Sequence, residues 1–224
     1  MGTKRKVTEE VVEAVGNGGK KNAIVISPPK FQVLPLTLLG TAPYMQNRFS
    51  QKAMNQMMAK MAAGSTTRKD KTKTARDFDR DFEEAQHISS EGWVGVPASS
   101  IRSACIDVCR MVQFKMTHAK MSIFVEADGL DAVDGTPLVK LKAGKPERTE
   151  MPVRNATGVV DIRIRPMWRM WELPIRVRFD ADQFTAQDVY NLINRAGIQV
   201  GIGEGRPFSK SSNGIGFGTF TIKS

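Results

Sequence analysis

The chain is poor in the residues that build metal centres and nucleophilic sites. It has two cysteines and two histidines in 224 residues. Cys105 and Cys109 are spaced i, i+4, so on a helix they share a face with Ile101 and Val108, where a disulfide would strain the geometry. They read as buried free thiols of a cytosolic protein. His87 and His118 stand at no metal-ligand spacing from them, which argues against zinc. No apolar run approaches the ~20 residues that span a bilayer. The basic start Met1-Gly-Thr-Lys-Arg-Lys6 has no hydrophobic signal region after it, so a secretory peptide is not expected. Gly203-Glu-Gly-Arg-Pro207 lacks the Gly-Lys-Ser/Thr ending of a phosphate-binding P-loop. The same glycines precede a strand-like run and not a helix, which excludes a dinucleotide fingerprint. The expectation is a cytoplasmic protein with no cofactor, no metal and no membrane partner.

What the chain does have is positive charge. Lys and Arg number 33 against 23 Asp and Glu, a net charge of +10, and hydrophobic residues make up 41%, enough for a core. That balance suits a polyanionic partner. Residues 1–22 read as a flexible basic arm, and 23–224 as one domain. The segment Ser65 to Arg76 has no apolar residue beyond one alanine, and its Arg68, Lys69, Lys71, Lys73 and Arg76 could track a phosphate backbone. It divides a helix-forming run, Gln46 to Ala63, from a mixed-charge helical stretch, Asp77 to Gln86. Met54, Met57, Met58 and Met61 lie at helical spacing in the first, a stripe for core or subunit packing.

Three further segments carry pattern. From Trp93 a short strand ends at Pro97, where Ser99 or Ser100 can cap the helix that follows to about Met116. The entry of that helix is a natural anion site, with Arg102 in its first turn. Two strands are expected at Arg154 to Trp168 and Leu173 to Phe179. Their Arg163, Arg165, Arg176 and Arg178 alternate with Ile162, Ile164, Ile175 and Val177, placing arginines on one face near Trp168 and Trp171. Finally, a helix from about Thr185 to Ala196 leads to a glycine-rich stretch, Gly201 to Gly218. There Gly203, Gly205, Gly214 and Gly216 would let a polymer approach the main chain, and Arg206 and Lys210 could hold phosphate. A strand at Phe31 to Leu39, with Pro35 suggesting an edge position or a bulge, opens the fold. The charged, glycine-containing stretch Asp128 to Glu150 reads as an inserted hairpin or finger.

Val96-Pro-Ala-Ser-Ser-Ile-Arg-Ser-Ala104 resembles the serine-containing helix entry of the RAMP superfamily, the RRM-like proteins of CRISPR effector complexes. Gly201-Ile-Gly-Glu-Gly-Arg206 with Gly214-Ile-Gly-Phe-Gly218 is similar to that superfamily's C-terminal glycine-rich loop. The order of segments along the chain matches, and the subgroup closest in character is the backbone subunits. Ala98 and Ser103 depart from glycines common in those motifs. The resemblance implies an α+β fold with a ferredoxin-like antiparallel core, Arg102 and the glycine loop against an RNA backbone, the 128–150 segment as thumb or finger, and self-association along a guide strand, with other effector subunits as further partners in antiviral defence. Catalysis is not expected. The helix in the position of the family's guide-processing histidine has none, and Asp70, the one acidic residue of the basic loop, lacks the clustered carboxylates a Mg²⁺ site needs. The leading expectation is therefore a non-catalytic protein on single-stranded RNA. The alternatives are a single-stranded DNA binder, a RAMP-type endoribonuclease acting through Asp70, His87 or His118, and an assembly protein whose basic surface is incidental.

Overall fold

The computed structural model describes residues 26–49, 51–62, 77–154, 160–208 and 214–223. The arm at 1–22, the basic residues Arg68, Lys69, Lys71, Lys73 and Arg76, and Lys210 lie outside them.

The fold is mixed α/β with antiparallel sheets. The main sheet has the order β11 (Phe220–Ile222), β1 (Phe31–Gly40), β10 (Trp171–Asp180), β4 (Ile123–Val125), every neighbouring pair antiparallel. Helix α3 (Ala98–Cys109) falls between β1 and β4 in the chain, and α5 (Ala186–Arg195) between β10 and β11. The principal elements thus run β-α-β-β-α-β. Leu173, Ile175, Val177 and Phe179 alternate into the core from β10, where they join Ile101, Cys105 and Val108 of α3 and Val189 and Ile193 of α5. The opposite side of β10 leaves Arg176 and Arg178 exposed.

Pro35 is not on an edge strand. β1 is central, yet β11 covers only its Leu38–Gly40 end. The Thr37 carbonyl accepts the Lys223 N–H on the β11 side. Pro35, two residues earlier, turns its peptide nitrogen to the same side, past the last paired residue of β11, so its missing N–H breaks no ladder.

Two small sheets flank this unit. β2 (Tyr44–Met45), β9 (Val160–Trp168) and β8 (Glu147–Arg154) form one, and β3 (Gly95–Pro97), β6 (Pro137–Lys140) and β5 (Gly129–Leu130) the other, while β7 (Lys142–Ala143) pairs with β10. The segment expected as a finger therefore does not stand out from the body. Leu138, Val139 and Leu141 are buried in it. The long hairpin is instead β8–β9, eight residue pairs from Glu147↔Met167 to Arg154↔Val160. A polar cluster around the buried Arg48 and Asp131 ties the second small sheet to the chain leaving β2. Arg48 faces Asp131 at 3.5 Å and Asp134 at 3.6 Å, and His87 Nδ1 lies 2.9 Å from Asp131 Oδ2.

α1 (Gln51–Ala62) leaves Met54, Met57, Met58 and Met61 all exposed, so the methionine stripe is not core within this chain. α2 (Phe78–Glu84) is capped by Asp77, whose carboxylate accepts the Arg80 N–H at 3.1 Å. α4 (Met116–Ser122) separates α3 from β4 where one helix to Met116 was expected. α5 begins with a reciprocal Thr185/Asp188 capping box and runs into a π-helical turn, Ala196–Val200, that delivers the chain to Gly201. No helix among the described residues is long and apolar enough to cross a membrane.

Candidate nucleic-acid interface

The two motifs singled out from sequence, about a hundred residues apart, meet in space. Ser99, Ser100, Ser103 and Asp107 of α3, with Gly201, Gly203 and Arg206 of the glycine loop, line a cavity of about 150 Å³. Two long-range contacts build it. The core residues Ile101, Ala104 and Val108 seat α3 on the sheet, and the π-helical turn packs beside α3.

The helix entry differs from expectation in a useful way. α3 begins at Ala98 with Pro97 as its N-cap, and no side chain caps its first turn. Ser100 Oγ donates to the Pro97 carbonyl at 2.7 Å, so it does not take up a backbone N–H. The first-turn amides keep the partial positive charge of a helix N-terminus, equivalent to roughly half an elementary charge. Arg206 Nη1 donates to the Gly203 carbonyl at 2.9 Å, which fixes its guanidinium at the cavity wall.

The glycine loop itself is closed and not open. Ile202 N–H donates to the Gly218 carbonyl at 3.0 Å, Gly218 N–H to Pro43 at 2.7 Å, and Glu204 N–H to Met45 at 3.0 Å. Gly218 has φ +66°, and a Cβ there would lie 1.7 Å from the Ile202 oxygen. At Gly203 a Cβ would lie 2.4 Å from the Met45 oxygen, and at Gly205 2.9 Å from the Phe217 ring. Gly203 and Gly218 admit the protein's own backbone, and Gly205 an aromatic ring. Gly214 and Gly216 are different, with nothing closer to a Cβ than Pro207 O at 3.7 Å for the first and open space for the second.

Other expected contacts go elsewhere. Arg102 is turned away from the helix entry. Its Nε donates to Ile123 O at 2.8 Å, another nitrogen donates to Lys120 O, and its guanidinium lies 5.1 Å from the centroid of the Phe124 ring. Arg165 is buried against Glu204 of the glycine loop and donates to Ile164 O at 3.0 Å. Arg163 is half-buried beside Asp161, 3.7 Å away. Trp168 is buried, stacked on Tyr44 with ring centroids 5.8 Å apart, and its indole N–H donates to Gly144 O at 3.1 Å. Arg165 and Trp168 hold the β8–β9 hairpin to the body and present nothing to a strand.

The two thiols are inert. Both are buried, and burial pushes Cys105 up to about 12 and raises Cys109 as well. Among the described residues no group of three or more His, Cys, Asp or Glu is placed to hold a metal ion.

A second concave surface was not anticipated. On the side of the main sheet away from α3 and α5, a groove of about 820 Å³ is lined by Pro35, Pro174 and Arg176 of the sheet and by Trp93, Lys140 and Lys142 beside it. The available signal was Gly92-Trp-Val-Gly95, an aromatic residue between glycines.

No protein-family model matches the chain, and no curated protein matches it either.

Proposed function

We propose that this protein is a non-catalytic binder of single-stranded nucleic acid, with RNA favoured over DNA, built on a ferredoxin-like core related to the RAMP superfamily. The observation that carries the reading is the meeting of the uncapped α3 entry with the Gly201–Arg206 loop around one cavity. Backbone amides at a positive helix end, serine hydroxyls and a fixed guanidinium are donors suited to a phosphate, and phosphate contacts carry no sequence information. Hydroxyls at the same place can also pair with a ribose 2′-OH, which favours RNA. Two further features support the reading. The main-sheet order, fourth-first-third-second by position in the β-α-β-β-α-β run, is what a ferredoxin-like core would require. The exposed methionine stripe of α1 suits contact with a neighbouring subunit along a bound strand.

The test is purification at moderate salt, followed by the 260/280 nm ratio of the size-exclusion peak and its nuclease sensitivity. The expected result is a large nucleic-acid-bearing species that RNase collapses and DNase does not. Collapse by DNase alone would move the assignment to single-stranded DNA. A clean monomer that also ignores added oligonucleotides would contradict it.

A further inference from the structure

We propose that the groove on the helix-free side of the main sheet is a nucleobase site, in which a base of the bound strand stacks on Trp93 while Lys140 and Lys142 take the flanking phosphates. This rests on the strand-binding reading above and assigns it a second, base-contacting surface.

Trp93 differs from the other two tryptophans. Trp168 and Trp171 are each 2% exposed and belong to the core, whereas Trp93 is half-buried and outside it. It is nevertheless held in place. Its indole N–H donates to Glu91 Oε2 at 3.0 Å. Its ring lies against two glycines on the two outer strands of the β3-β6-β5 sheet, where a Cβ would come within 2.9 Å of the ring at Gly95 and 2.8 Å at Gly129. A large aromatic residue fixed on a glycine seat and bordering a groove is a stacking platform with its conformational cost already met by folding.

The charges around it favour an anionic partner. Four basic and two acidic residues line the groove. Arg176 pairs with Asp128 at 2.9 Å and Lys223 with Glu172 at 2.6 Å, and Glu91 accepts the Trp93 indole N–H, so the positive charge left to the groove is that of Lys140 and Lys142. The Lys140 ammonium stands over the Trp93 ring, 5.8 Å from its centroid, and shifts to the phosphate when a base takes that place; among the described residues neither Lys140 nor Lys142 has a carboxylate ion-pair partner. Aromatic face and ammonium groups together are what a stacked base with its phosphates requires. The groove volume lies within the roughly 300–1,000 Å³ of small-ligand sites.

The experiment titrates the full chain with fluorescein-labelled oligo(U) and oligo(dT), reading anisotropy, and with the unlabelled strands, reading tryptophan emission. Because Trp168 and Trp171 are buried, emission changes report on Trp93. The proposal expects quenching on binding, affinity reduced about tenfold or more in Trp93→Ala, and a comparable loss in the Lys140→Glu/Lys142→Glu variant. The latter changes exposed side chains, so its thermal midpoint should match wild type and show that the loss is not unfolding. If wild type binds the oligonucleotides with unchanged emission and the lysine variant binds equally well, the groove is not a base site and the strand-binding reading stands without it. If wild type binds neither oligonucleotide, both fall together.

Discussion

The glycine loop at Gly201–Gly218 and the helix-free face of the main sheet differ in what their polar groups are doing. In the loop, backbone amides are spent on internal bonds to Pro43, Met45 and Gly205, and at Gly203 and Gly218 neighbouring backbone leaves no room for a Cβ. On the sheet face, prolines, a seated tryptophan and two lysines, Lys140 and Lys142, with no carboxylate partner among the described residues border an open groove. Among the described residues the motif-rich region is thus mainly architectural, and its polar groups border a cavity where it meets α3. The region without a motif is the more open of the two. Glycine content measures close backbone approach, and the approaching backbone can be the protein's own.

Substitutions should separate the two regions. The largest effect is expected from Gly218→Ala, which adds a Cβ to left-handed backbone and against the Ile202 carbonyl. It should cost at least ~2 kcal/mol, seen as a large fall in the denaturation midpoint. Arg165→Met comes next. It strands Glu204 at the loop with its buried partner gone, and a loss of about 2 kcal/mol is expected in chemical denaturation. Gly216→Ala breaks only the backbone preference, since φ is +99° but the space is open. It should cost about 1 kcal/mol, and a cost equal to that of Gly218→Ala would refute the steric account of the loop. The smallest change in stability belongs to the sheet face. Lys140→Glu/Lys142→Glu should stay within about 0.5 kcal/mol of wild type while weakening oligonucleotide binding and lowering its salt slope.

How much of this was legible in the sequence depends on how many faces of an element the fold covers. β10 and β9 share the same arginine–aliphatic alternation. β10 has helices on one side only, so the pattern reads through, with Ile175 and Val177 in and Arg176 and Arg178 out. β9 is covered on both sides from Ile164 to Trp168, so Arg165 goes inside and finds Glu204, while at the other end Ile162 is exposed. Alternation predicts orientation only where one face is wet. The helix expected from about Thr185 to Ala196 is found at Ala186–Arg195, and its start rests on a Thr185/Asp188 capping box that the structure reveals. Pro35 was misread as an edge marker because the pairing that frees its nitrogen depends on how far β11 extends. The resemblance implied Arg102 and the glycine loop beside one RNA backbone; it is the serines of α3 and not Arg102 that lie at the loop. The Trp93 seat needed glycines from two strands brought together by β6, which no linear spacing reveals.

The most direct test of the central claim is the salt dependence of binding to a single-stranded RNA oligonucleotide, measured by anisotropy from 50 to 500 mM salt. Phosphate-led binding predicts a linear fall of log K with log salt concentration, at roughly 0.7 per phosphate neutralised. A flat line, or no binding at the lowest salt, would contradict it.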